Sequence, residues 1–136
     1  MTTFNDIRAA LESEVANVPG IPAQRAWENV RFEPTTGTPW VRMTLLPGST
    51  RPAYLGADPE NRHDGLFQVD IFWPENQGPA SADTLADNVR SRYKVSNTLT
   101  AGTTNVRFNW SERLPARMDG PWYVVSVRAS WYTYAS

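Results

Sequence analysis

His63 is the only histidine in a chain of 136 residues, and it stands beside Asp58, Glu60 and Asp64 in the densest run of titratable side chains. Alternating carboxylates in a loop are the raw material of a calcium site, because a hard cation takes several oxygen ligands at once. Here Pro59 and Arg62 interrupt the spacing and no Glu stands at the closing position, so a solvated charged loop is the better reading. A Ser-His-Asp set can be assembled on paper around His63, but no Ser carries the flanking glycines of a nucleophile elbow. The absence of cysteine excludes disulfides, thiolate chemistry and a cysteine zinc site. Neither a phosphate-binding loop nor a dinucleotide fingerprint is present. The expectation is a protein that is not an enzyme, with no catalytic residue, no cofactor and no metal.

Two basic features remain. Arg107, Arg113 and Arg117 flank Trp110, and cations interleaved with aromatic rings can hold single strands. Glu112 and Asp119 in the same stretch weaken that reading, and the net charge of −1 gives no general attraction to nucleic acid or to an anionic membrane. All but one of the 13 cationic side chains are arginine, the exception being Lys94. Arginine pairs with carboxylates in a planar fork and sheds water more readily than lysine, which suits subunit contacts.

The elements that must position these side chains follow from periodicity. Phe4, Ile7, Leu11, Val15 and Val18 recur at three and four, so Thr3 to Val18 reads as an amphipathic helix ended by Pro19-Gly20. Pro22 to Val30 offers a short strand through Arg25 and Trp27. Trp40 to Leu46 alternates, with Val41, Met43 and Leu45 toward the core. Leu66 to Trp73 sets Phe67, Val69, Ile71 and Trp73 on one side and Leu66, Gln68, Asp70 and Phe72 on the other, the pattern of a central strand covered on both faces.

A second helix carries Ala82, Leu85, Ala86, Val89 and Tyr93 on one stripe, with Ser81 and Asp83 near its start. Val95 to Leu99 and Asn105 to Trp110 read as a hairpin, and Arg113 to Pro121 as an exposed loop. Trp122 to Tyr134 closes the chain as its longest strand, with Tyr123, Val125, Val127, Ala129 and Trp131 inward and Ser126, Arg128 and Ser130 outward. The order implies one α+β domain over residues 1–136: a mainly antiparallel sheet, two helices on one face and a long arm between two central strands. The arm, Pro47 to Asp64, reads as a loop too long to lack a purpose.

Hydrophobic residues at 40% and charged residues at 20% place the chain among globular proteins, and six Trp with eleven Pro suit a domain that presents preformed surfaces. No run approaches a membrane-spanning length and no leader pattern opens the chain, so a soluble protein made in a reducing cytoplasm is expected.

Residues 29 to 74 carry a more specific signal. Asn29-Val30-Arg31-Phe32-Glu33-Pro34, Trp40-Val41-Arg42, Leu46-Pro47-Gly48, Arg51-Pro52 with Leu55-Gly56, and Arg62-His63-Asp64-Gly65-Leu66-Phe67-Gln68-Val69-Asp70-Ile71-Phe72 resemble the tail terminator-like proteins of long-tailed, siphovirus-type bacteriophages. Leu85-Ala86 in the second helix and Gly120-Pro121-Trp122 before the last strand are similar in order and spacing, whereas Val95 to Met118 matches least. The resemblance implies an α+β subunit that forms a homohexameric ring on the tail tube, stops its polymerisation and offers an attachment surface to the neck. Its implied partners are further copies of itself, the tail tube protein, a head-completion or neck protein, and genomic DNA passing through the lumen unread. No membrane is among them. The implied place is the head-proximal end of the virion tail, after assembly in the host cytoplasm. In that setting the arm would reach a neighbouring subunit, with Arg51 and Arg62 pairing with carboxylates and Tyr54 and Leu55 as apolar anchors. Another ring-forming neck component and a monomeric nucleic-acid-binding module stay open as alternatives.

Overall fold

The computed structural model describes residues 3–52 and 60–135. Helix α1 spans Thr3–Glu14 and tightens into a single 3-10 turn at Val15–Asn17; strand β1 is Gln24–Ala26, β2 Trp40–Pro52 and β3 Asn61–Pro74. Helix α2, Ala80–Arg92, is followed by β4 Leu99–Ala101, β5 Thr104–Arg113, β6 Arg117–Asp119 and β7 Trp122–Ala135. The strands form one sheet in the order β1-β2-β3-β7-β5-β4, with β6 also paired to β7. All pairings are antiparallel except β1 with β2, so the α+β class holds and the sheet is mixed at one margin only.

Both helices pack on one face, α1 over β4 and β5, α2 over β3, β5 and β7. The stripes that made them amphipathic are the ones they bury: Ile7, Leu11, Val15 and Val18 from the first, Ala82, Leu85, Ala86, Val89 and Tyr93 from the second. They meet Val41, Met43, Leu45, Phe67, Val69, Ile71, Val125, Val127, Ala129 and Trp131 from the sheet. The Tyr93 hydroxyl donates to the Leu11 carbonyl at 2.8 Å, joining the two helices inside the core. Burial there pushes the phenol far up, so it stays a donor at any working pH. Phe4 leaves the expected stripe, being 39% exposed, and meets the His63 ring edge-on with centroids 5.5 Å apart.

Several boundaries differ from those expected. The arm is not a loop from Pro47 onward, because β2 continues to Pro52 and β3 begins at Asn61, with Arg51 opposite Arg62. Residues 53–60 alone separate the two strands in sequence. Pro and Gly read as strand ends, but a register shift between Pro47 and Thr50 takes up Gly48 and Ser49, and proline is tolerated at a bulge or on an edge. The close approach at this bulge explains Gly65, where a Cβ would lie 2.4 Å from the Leu46 carbonyl oxygen and 2.8 Å from the Trp131 ring. His63 consequently points inward and is buried rather than solvated in a charged loop. The first hairpin strand is Leu99–Ala101 rather than Val95 to Leu99, and the expected loop from Arg113 contains β6, which turns through Gly120 at φ 57 into β7. Trp27 lies just past β1.

Two strand edges stay open over most of their length. β1 covers only Trp40 to Arg42 of β2, and β4 only Thr104 to Val106 of β5. One charged side chain occupies each edge. Glu28 Oε1 accepts the Leu45 N–H at 2.7 Å on β2, and Arg90 Nε donates to the Ser111 carbonyl at 3.3 Å on β5.

Candidate functional site

The face of the sheet turned away from the helices carries the polar structure of the molecule. At one end it is sealed by aromatic rings: Trp40 stacks on Phe72 with centroids 3.8 Å apart, and Trp122 and Phe32 pack on Trp40 at 6.0 and 5.0 Å. This small cluster is why Leu66 to Trp73 has apolar residues on both sides. It also buries Val124.

Next to the cluster stands Asp70, almost wholly buried. Its register neighbours are Arg42 on β2 and Ser126 on β7. Arg42 donates Nε and Nη2 to Asp70 Oδ2 at 3.1 and 3.0 Å, while Gln68 Nε2 donates to Oδ1 at 2.8 Å. The Ser126 hydroxyl also donates to Oδ1, and in turn accepts Arg117 Nη1 at 3.2 Å. Arg128 completes the row by donating to Gln68 Oε1 at 3.2 and 3.3 Å. A buried carboxylate is tolerated only when its lone pairs are satisfied, and this one has four donors from three residues. Ser126 points outward as expected but has no exposure, so its hydroxyl is closed to any substrate. The Ser126–Asp70 pair joins strands and has no access for chemistry.

A second carboxylate, Asp64, sits at the other end of β3 on the same face. Its Oδ1 accepts the backbone N–H and the hydroxyl of Ser49 at 3.1 Å each, which holds the bulge of β2. Arg51 Nη2 lies 3.4 Å from its Oδ2 and Arg62 Nε 3.8 Å, too far for a hydrogen bond, so the second pairing is Coulombic. The Arg62 guanidinium lies over the Tyr132 ring at 4.4 Å and donates to the Tyr134 hydroxyl at 3.1 Å. Thus two of the four residues expected at a subunit contact, Arg51 and Arg62, come together on one carboxylate of their own chain. Tyr54 and Leu55 lie outside the described residues.

The hub around Asp70 was not anticipated. Its signal is a Gln and an Asp on the alternate side of an apolar strand, but the partners on β2, β6 and β7 follow only from register. At the β1 margin Glu28 is held by the Leu45 N–H and by Arg8 at 2.9 Å. Partial burial acts to raise its pKa, yet the Leu45 amide and Arg8 outweigh it and hold the carboxyl below its ordinary value. The same pairing raises Arg8. Among the described residues, the outer face holds its charges in internal pairs beside aromatic rings, with no exposed pairing of a nucleophile and a base.

Comparison with known proteins agrees with an assembly role. A family model described as phage tail terminator protein matches residues 6–131. No curated protein sequence matches. Among solved structures, one whose description carries no functional title is 22% identical, with a TM-score of 0.75 over 100% of this chain and 98% of the other. A chain described as part of the virion of a native gene transfer agent particle is 16% identical, with a TM-score of 0.52 over 98% of this chain and 97% of that one. At such identities these two likenesses speak for the fold, whereas the family model spans nearly the whole chain, and this protein belongs to the phage tail terminator family.

Proposed function

We propose that the chain closes into a ring of six copies on the end of the tail tube, stops tube growth there and presents its far side to the neck of the capsid. The family match over residues 6–131 carries this reading, since it makes the protein a phage tail component with a structural role. The physical logic is that a tube grows through heterologous contacts that repeat without closing. A subunit that joins its neighbours sideways into a closed ring, and offers a different surface above, removes the site of further addition. Genomic DNA then passes through the lumen without sequence reading. Arg51 and Arg62 at the facing ends of β2 and β3, together with Tyr54 and Leu55, form part of the contact between neighbours.

The test is tube assembly with and without the protein. With it, electron micrographs should show tubes of one length ending in a ring; without it, tubes of unlimited length. Uniform tubes in its absence would overturn the reading. Tubes that stop correctly but fail to join heads would favour a neighbouring neck component, and retention on DNA by an isolated monomer, lost with salt, a nucleic-acid-binding module.

A further inference from the structure

The sequence contains two Asp-Gly steps, Asp64-Gly65 and Asp119-Gly120, and the fold places them in opposite surroundings. An aspartate carboxyl followed by glycine is open to attack by the next backbone nitrogen, because no Cβ crowds the ring that would form. At the first step both reactants are held. Asp64 Oδ1 accepts the Ser49 N–H and hydroxyl, Arg51 and Arg62 flank its Oδ2, and Gly65 lies inside β3 between Pro47 of β2 and Trp131 of β7. A Cβ on Gly65 would collide with the Leu46 carbonyl oxygen, so this segment cannot swing without opening the sheet. At the second step both reactants are free. Asp119 ends β6, Gly120 enters the turn to β7, and both are exposed. Among the described residues, neither the Asp119 carboxylate nor the Gly120 N–H has a hydrogen-bond or ion-pair partner. Beyond its chain neighbours, no heavy atom lies within 4 Å of the place a Cβ on Gly120 would take. The turn is tied one residue further on, where the Pro121 carbonyl accepts the Glu75 N–H at 3.0 Å.

We infer that Asp119 is a site of spontaneous backbone isomerisation. The Gly120 nitrogen attacks Cγ of Asp119 and forms a bond to it, the nitrogen gives up its proton, and one carboxyl oxygen leaves as water, closing a five-membered succinimide. Water then opens the ring at either carbonyl. Breaking the bond from the nitrogen to Cγ restores aspartate. Breaking the bond to the main-chain carbonyl carbon leaves the chain running through the side chain, one methylene longer, with a free α-carboxylate. One water is lost and one is gained, so no oxidant, metal or second substrate is needed. Ring closure requires the Asp119 backbone to rotate, and an exposed turn opens at far lower cost than a paired strand inside the sheet. Asp64 is protected by that difference. The longer link alters how β6 meets β7, where Arg117 stands opposite Val124 and donates to the Ser126 hydroxyl at 3.2 Å. The change therefore reaches the Asp70 hub from its exposed side. This inference stands independently of the ring reading.

The experiment incubates the folded full-length chain for weeks in warm neutral buffer, with circular dichroism to confirm folding, and then digests it with trypsin, which cleaves after Arg117 and Arg128. The peptide of residues 118–128 should divide into two chromatographic peaks of equal mass. The new peak alone should accept a methyl group from an isoaspartate-specific carboxyl methyltransferase. The peptide carrying Asp64 should stay single in the folded chain, yet both peptides should divide when the chain is incubated unfolded in guanidinium. Asp119→Glu should abolish the second peak, because its longer side chain would have to close a larger ring. Asp119→Asn should speed the conversion, since an amide gives up ammonia more readily than a carboxylate gives up oxygen. A single 118–128 peak from the folded chain, after an incubation that divides it in the unfolded chain, would overturn the inference. Equal conversion at Asp64 and Asp119 in the folded chain would do the same, because the fold would then make no difference between them.

Discussion

The two faces of the sheet are stabilised by different physics. The helix-covered face is a continuous apolar layer to which β2, β3, β5 and β7 contribute alternate residues and β4 contributes Leu99, with the buried Asp6 carboxylate beside it accepting the Thr104 hydroxyl. The opposite face has four aromatic and aliphatic side chains at one end and then a row of arginines gathered on two carboxylates. Area burial is non-directional and tolerant of rearrangement, while a carboxylate with four donors fixes the register of every strand that supplies one. The first face therefore supplies stability, and the second fixes which strand residues stand opposite one another.

That contrast can be broken by substitution. Ile71→Ala, in the middle of the covered face, should cost about 2–5 kcal/mol through the cavity left behind, read as a lower denaturant midpoint with an unchanged slope. A loss below about 1 kcal/mol would mean the layer is loosely packed. On the other face, Arg42→Ala should cost about 2–3 kcal/mol, less than the usual loss for a wholly buried pair because Arg42 is half exposed while Asp70 is not. If that variant were as stable as wild type, the hub would not hold the strands. Tyr93→Phe removes one buried hydrogen bond between the helices, an expected loss of about 1 kcal/mol.

The smallest effect concerns the sheet margin. Glu28 titrates below its ordinary value of 4.5, so its contribution is present above that pH and disappears as pH falls through the lower folded value. The stability difference between wild type and Glu28→Gln should accordingly shrink on acidification below about pH 4.5 and be constant above pH 6. A difference that grew in acid would show that Glu28 is not held as a carboxylate.

The covered face was legible in the sequence because burial on one side imposes a period. Val41, Met43 and Leu45, or Val125, Val127 and Ala129, need no knowledge of neighbours to be placed inward, and the helical stripes at Leu11 and Leu85 are read the same way. The hub was not legible. Arg42, Asp70 and Ser126 are 28 and 56 residues apart, and only the register of β2 with β3 and β3 with β7 makes them adjacent. The ends of β2 and β3 were misread for a related reason: Pro47, Gly48 and Pro52 end strands by local rule, and the pairing partner that overrides the rule, Asn61 to Gly65, lies further along the chain. The short strand expected through Arg25 is β1, three residues long, but its parallel pairing with β2 has no mark in the sequence.

The plugged margins of the sheet bear on how much free protein a cell can hold. An open strand is a template for cross-β stacking, and the rate of that misassembly rises steeply with concentration. With the Leu45 N–H given to Glu28 and the Ser111 carbonyl given to Arg90, an unassembled subunit offers two of its edge groups already occupied. At those two positions a free subunit is shielded from stacking on its own kind.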